Sequence, residues 1–233
     1  MTAKSSTSSS AQKIGTLNEG DLHLSLKLFY ADDPSQIERR TSNYIVDVLK
    51  HDQIVEIQTR GFGALRRKLP ALLQTHNVTL VHPVAIRKTI VKSTEDGGYS
   101  RRLSPKKGIV HDVFDELVSL PTMLDVDGMQ LDVVLVHEEE FRRFDKRRAW
   151  RRRGWVIVER RLVEVVSTRT FCSSMQLLLE LFPNLPNQFT TEDLAVETRG
   201  NRSLAQKAAY FLRESNSIHV VAKRGNTLVY ERC

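Results

Sequence analysis

"YIVDVLKHDQIVEIQTR", Tyr44 to Arg60, is the stretch on which the reading of the fold turns. Its apolar residues recur with a period of two and branched side chains are plentiful, so it reads as two strands around a short turn, Lys50 to Gln53. That turn sets Leu49 opposite Ile54 and Asp47 opposite Glu56, with Tyr44 and Ile45 running alongside Gln58. Two carboxylates would then share one face of the sheet with Gln58, while Val46, Val48, Val55 and Ile57 back them on the other. Like charges in register destabilise a sheet, and in a half-buried site one of the acids would have to take up a proton. A divalent cation between them removes the conflict. Mg²⁺ or Mn²⁺ takes oxygen ligands, commonly one or two carboxylates completed by water and a phosphate oxygen, and can activate water for phosphodiester cleavage. The alternative is an edge hairpin whose Asp47 and Glu56 face solvent and pair with Arg60 or Lys50.

Before the hairpin, "NEGDLHLSLKLFYADDP" is ambiguous: Leu22, Leu24, Leu26 and Leu28 alternate like a strand, whereas Leu22, Leu26, Phe29 and Tyr30 fit one helical face. After it, "FGALRRKLPALLQTH" reads as an amphipathic helix that Pro70 kinks or restarts. "VTLVHPVA" is a short strand that Pro83 ends or confines to an edge. "KSTEDGGYSRRLSPKKG" is a loop or ribbon tip. "IVHDVFDELVSL" reads as a helix, "LDVVLVH" as a strand, "GWVIVERRLVEVVSTRTF" as strand, turn, strand, and "SSMQLLLELF" as a helix. This order describes a mixed α/β domain.

The chain has 233 residues, 40 % of them hydrophobic, enough for a sizeable core. Residues 1–14, rich in Ser and Thr, read as a disordered tail without the apolar run of a signal peptide. No apolar stretch approaches a membrane span. Two widely separated cysteines, Cys172 and Cys233, point away from a disulfide framework or structural zinc and toward the cytoplasm. Lys and Arg outnumber Asp and Glu by 35 to 28, a net charge of +7 that suits a polyanionic partner. The excess is concentrated in "FRRFDKRRAWRRR", Phe141 to Arg153, where Arg147, Arg148, Arg151, Arg152 and Arg153 could grip phosphates beside Phe144 and Trp150. The competing reading is a solvated basic helix whose Phe and Trp face the core.

"PNLPNQ", residues 183–188, reads as a linker, and residues 189–233 as a second domain. Thr190, followed three residues later by Asp193, resembles a capping box. A short helix to Glu197, a Gly-containing turn, a longer helix and a tight hairpin describe a winged helix-turn-helix. Its second helix would offer Arg202, Gln206 and Lys207 to DNA, and its wing Lys223 and Arg224. Winged helices also dock proteins, so a partner protein on this domain is a second expectation.

An acid on the first strand of a hairpin, followed by acid–x–Lys or acid–x–Gln on the second, resembles the signature of the PD-(D/E)XK nuclease superfamily, with "IVEIQT" looking like its Gln variant. That resemblance implies a restriction-endonuclease-like domain over residues 15–182: a helix, a three-stranded meander, a helix and a strand, with helices flanking a mixed sheet. It tips the leucine segment toward helix. It also implies Asp47 and Glu56 as metal ligands with the carbonyl of Ile57, Glu19 on the first helix binding metal directly or through water, and Gln58 in the place of the catalytic Lys. Neutral Gln can only hydrogen-bond, and Arg66, Arg67 or Lys68 on the next helix could restore a positive charge. The layout with a C-terminal winged helix is similar to the endonuclease subunit of Tn7-type transposases, which carries Lys at the position of Gln58. The expected activity is Mg²⁺- or Mn²⁺-dependent cleavage of DNA, with RNA left open, and a homodimer where both strands are cut. The competing expectation is an inactive DNA-binding or docking module on a nuclease fold.

Overall fold

The computed structural model describes residues 22–41, 43–94, 97–145 and 154–233. The proposed tail, Glu19 and the run Arg147, Arg148, Arg151, Arg152 and Arg153 lie outside these residues.

The fold is α/β, a large mixed sheet with helices on both faces. It opens with α1, Leu22–Tyr30, followed by β1 (Ile37–Thr41), β2 (Tyr44–Lys50) and β3 (Gln53–Ile57), an antiparallel meander. The helical alternative for the leucine segment is the observed one, because a helix puts Leu22 and Leu26 together against Val48, Val55, Ile57 and Val81. Lys50 pairs with Gln53, Leu49 with Ile54 and Val48 with Val55, the register expected from the hairpin. The chain then makes a 3-10 turn, Phe62–Leu65, and the short α2, Lys68–Leu72, so the expected amphipathic segment is broken in two, at Arg66–Arg67 rather than at Pro70. Pro70 sits in the first turn of α2, where no backbone N–H is needed.

β4, Asn77–Ser93, runs parallel to β3 and to β6, Met129–Phe144. It passes through Pro83, correcting the expectation of a short or edge strand. The Val81 carbonyl accepts from Gln58 N–H at 2.9 Å, so Val81 and, two residues on, Pro83 turn their backbone groups toward β3. β3 has ended by then, and the missing proline donor leaves no ladder bond unmade. β5, Tyr99–Leu103, pairs with the outer half of β4. β7, Trp155–Phe171, is one continuous strand antiparallel to β6, not strand, turn, strand. Its register slips three times, leaving Val158, Val163 and Val166 unpaired, exposed bulges that coil this edge of the sheet. The sheet order is β1-β2-β3-β4-β6-β7, with β5 on β4. Beyond the apolar clusters, β5, β4, β6 and β7 continue as a four-stranded extension. Phe141 and Phe144 belong to its β6 strand, which corrects the helical alternative for this part of the basic segment.

Val110–Val113 forms a 3-10 turn that continues as α3, Phe114–Leu117, and α4 follows over Ser174–Leu181. α2, α3 and α4 cover the face opposite α1, over a core that includes Ile54, Leu80, Leu131 and Phe171. The last segment holds α5 (Thr191–Glu197), α6 (Arg202–Glu214) and a three-stranded sheet of β8 (Gln188–Phe189), β10 (Thr227–Arg232) and β9 (Ile218–Arg224). Thr190 and Asp193 form the capping box at the start of α5, and Asn201 caps α6. α6 lays Leu204, Ala208 and Phe211 on the same core, with Phe211 and Phe182 each 5.7 Å from Phe114. Leu185, within the segment read as a linker, is buried and its carbonyl accepts from Arg232. Among the described residues no helix is long and apolar enough to cross a membrane.

Candidate active site

The β2–β3 ladder pairs its backbones as far as Val48 and Val55. One step further, side chains take over. Asp47 Oδ2 accepts the Ile57 N–H at 2.8 Å, bringing Asp47 beside the residue that follows Glu56. The two acids therefore sit next to each other where the strands part, but they do not share a face. Val46 belongs to the core under α2 and Val48 to the cluster under α1. β2 thus rotates between them, and Asp47 swings toward α1 while Glu56 turns toward α2. This corrects the expectation of two carboxylates on one face.

Each acid meets its own cations. His23 Nε2 lies 3.1 Å from Asp47 Oδ2, and Lys27 Nζ lies 3.1 Å from Asp47 Oδ1 and 2.8 Å from Glu38. Burial pushes the Asp47 carboxyl up, but the hydrogen bonds from His23 and Ile57 N–H and the charge of Lys27 outweigh it and hold the pKa below its usual value. His23 is raised above the usual imidazole value, chiefly by its hydrogen bond with Asp47. Glu56 is 3 % exposed, with Lys68 Nζ 2.7 Å from each carboxylate oxygen. Lys68 also donates to the Ile45 carbonyl at 2.7 Å. Burial still wins at Glu56 and raises its pKa despite Lys68.

Of the residues marked in the sequence, Asp47, Glu56 and Ile57 come together. Gln58 does not join them: its amide donates to the Arg60 carbonyl at 2.6 Å, away from both acids. Lys68, one of three basic candidates, reaches Glu56, whereas Arg66 donates to the Ser119 carbonyl. His23 and Lys27 escaped the sequence reading; their spacing of four, beside the apolar face of α1, is the signal that places both over one strand end.

A cation could be held here. Asp47 Oδ2 and the Ile57 carbonyl converge on one point, 3.1 Å from each, that His23 Nε2 fills. Glu56 Oε1 is buried without a directed hydrogen bond, its contact with Lys68 being ionic. Asp47 and that carbonyl are hard oxygen donors of the kind Mg²⁺ takes, and Glu56, held toward α2 by Lys68, would have to leave that lysine to complete the set with water. Among the described residues no group of three or more acidic, His or Cys side chains is placed to hold a metal ion.

A crevice of about 340 Å³ opens past the carboxyl end of β3, alongside β4 and β6 where those strands run on. Leu22, Thr59 and His82 line it together with the basic Lys88, Arg142 and Arg160 and the acidic Asp112, Asp115 and Glu116. Buried Glu138 and Glu140 hold those cations: Lys88 lies 2.8 Å from Glu138, and Arg142 Nε donates to Glu140 at 2.7 Å. His82 Nδ1 donates to the Gln58 carbonyl at 2.9 Å, and burial lowers its pKa.

In the C-terminal segment, Arg202, Gln206, Lys223 and Arg224 are exposed. Arg202 lies 3.6 Å from Glu192, and Lys207 pairs with Asp115 of α3 at 2.7 Å. Lys207 thus joins α6 to the large sheet's helices.

Residues 20–172, from the start of α1 to the end of β7, match the family described as "Domain of unknown function (DUF8091)". The chain belongs to this family. The acids, their cations and the crevice all fall inside the match. The chain is also similar to an "Uncharacterized protein" of Treponema pallidum (strain Nichols), 34 % identical over 221 residues, covering 94 % of this chain and 87 % of that one. That similarity extends past the family's match into the C-terminal segment. No solved structure matches the chain.

Proposed function

We propose that the protein is a metal-dependent nuclease that hydrolyses DNA phosphodiester bonds. The observation that carries this reading is the pair Asp47 and Glu56 at the parting of β2 and β3, within the order helix, three-stranded meander, helix, parallel strand. That order resembles the one the PD-(D/E)XK core carries, in which the acids would stand on the two signature strands. Asp47, Glu56 and the Ile57 carbonyl would hold Mg²⁺ or Mn²⁺, with His23 turning aside and Glu56 leaving Lys68 to reach the same side of the sheet. Such an ion supplies an activated water and neutralises charge on the phosphoryl oxygen. Lys68 takes over the positive charge that Gln58 lacks, close enough to Glu56 to meet a phosphate beside it. Lys88, Arg142 and Arg160 line the crevice in which the DNA backbone would lie. Helices α5 and α6 with the β9–β10 hairpin are read as a winged helix, with exposed Arg202, Gln206, Lys223 and Arg224 as its DNA contacts; Lys207 serves the interface with Asp115 instead.

The test is nicking of plasmid and of single-stranded DNA with Mg²⁺ or Mn²⁺, comparing the wild type with Glu56→Gln. Metal-dependent cleavage that disappears in the variant supports the site. Cleavage that survives in the variant puts the chemistry elsewhere. A second reading, a non-catalytic DNA-binding or docking module on the same fold, is favoured by one observation: both acids are already neutralised by protein cations and Gln58 bends away. DNA shifted on a gel but never cut would select it.

A further inference from the structure

We propose that the far end of the four-stranded extension is a platform for the unpaired bases of single-stranded DNA. This rests on the reading that the protein acts on DNA, and it assigns a binding surface away from the acids. An open groove of about 770 Å³ lies there, lined by Lys92, Ser93 and Ser100 from the β4–β5 ribbon and by Arg143, Phe144 and Trp155 from β6 and β7. The Phe144 and Trp155 rings meet edge to face with centroids 5.5 Å apart, and Phe144 is 48 % exposed. The backbone is shaped to hold that ring. Gly154 has φ +84°, and a Cβ at this position would stand 2.5 Å from the Phe144 ring, so only glycine lets the chain pass so close beneath it.

The charge around the rings has one dominant sign. Lys92 Nζ lies 4.1 Å from the centre of the Trp155 ring. Burial and then repulsion from Arg102 and Arg142 lower its pKa, the mark of cations crowded together. Aromatic faces that stack bases, ringed by cations that meet phosphates, form the chemistry of single-strand binding. Bases in a duplex are stacked on one another, so their faces are unavailable to Trp155. An acidic peptide would satisfy the cations but would leave the half-exposed Phe144 ring without a stacking partner.

The experiment uses the full chain with Trp150→Phe, which leaves Trp155 as the sole tryptophan. Fifteen-residue oligo(dT) and a duplex of equal length are titrated in EDTA, so that binding is read without cleavage. The expected result is quenching of Trp155 emission by oligo(dT) with weaker binding of the duplex. Trp155→Ala, followed by anisotropy of labelled oligo(dT), should bind about ten- to a hundredfold more weakly, the loss of one base stack. Arg102→Ala with Arg143→Ala should flatten the salt dependence by about 1.4 in the log–log slope, at roughly 0.7 per phosphate contact. Should Trp155→Ala fail to fold, Phe144→Leu keeps apolar bulk without the ring and decides the matter. Unchanged Trp155 emission, wild-type affinity in the ring variants, a preference for duplex, or no binding to oligo(dT) each overturns the platform. A chain that passes these tests but never cuts DNA loses only the nuclease reading.

Discussion

Removing the lysine beside the buried acid is the perturbation whose size follows most directly from the structure. In Lys68→Met the aliphatic stem is kept, and the ammonium 2.7 Å from both oxygens of Glu56 is lost. The carboxylate is 3 % exposed and cannot turn to water, so it takes a proton instead. The cost of that proton sets a ceiling. From an ordinary value of 4.5, neutralising a carboxyl at pH 7 costs about 3 kcal/mol, and at pH 5 under about 1 kcal/mol. The sign follows from the direction of the shift. Glu56 already has its folded pKa raised by burial, and losing Lys68 raises it further. The folded variant therefore holds a proton that the unfolded chain releases, and its deficit is absent below about pH 4.5 and grows as pH rises through the gap. Loss of the bond to the Ile45 carbonyl adds about 1 kcal/mol without pH dependence. Melting points should fall by roughly 8–16 °C at pH 7 and by less than half of that at pH 5. The double variant Lys68→Met/Glu56→Gln should lose the pH-dependent part. Urea unfolding from pH 5 to 8 measures both, and a deficit that is flat with pH, or that persists in the double variant, refutes the reasoning.

Three further outcomes are expected. Burial holds the His82 pKa below 6.5, so the unfolded chain takes up a proton first and stability falls as pH drops below about 6.5; His82→Gln, which can still donate to the Gln58 carbonyl, should show a shallower decline between pH 6.5 and 5 in urea titrations. Phe211→Ala empties a fully buried ring site against Phe114 and should cost about 3–5 kcal/mol in one shared transition, whereas a separate early melting of the C-terminal segment in calorimetry would show that α6 and the large sheet do not unfold as a unit. Gly154→Ala forces a side chain into a left-handed turn against the Phe144 ring and should cost about 1–3 kcal/mol, read by urea unfolding; an unchanged midpoint would mean the ring does not rest on that backbone.

Some of this was legible in the residues alone, wherever the signal is local. Alternation and a two-residue turn set the register that pairs Leu49 with Ile54, because a one-residue slip would turn every apolar side chain to the wrong face. Thr190 with Asp193 located the start of α5, because a capping box satisfies its own backbone donors within four residues. The sequence alone marks Asp47, Glu56 and Lys68 as candidates. Other features depended on what arrives from far along the chain. β4 continues through Pro83 because β3 ends beside it, and β7 continues through Glu159, Arg160 and Arg161 because β6 pairs with them beyond the core. Whether Asp47 faces Glu56 or α1 rests on the rotation of β2 between Val46 and Val48, and which acid meets which lysine rests on how α1 and α2 pack on opposite faces. Spacing within a strand determines what its neighbours can be, but only the packing of distant elements decides which charge stands opposite each buried acid.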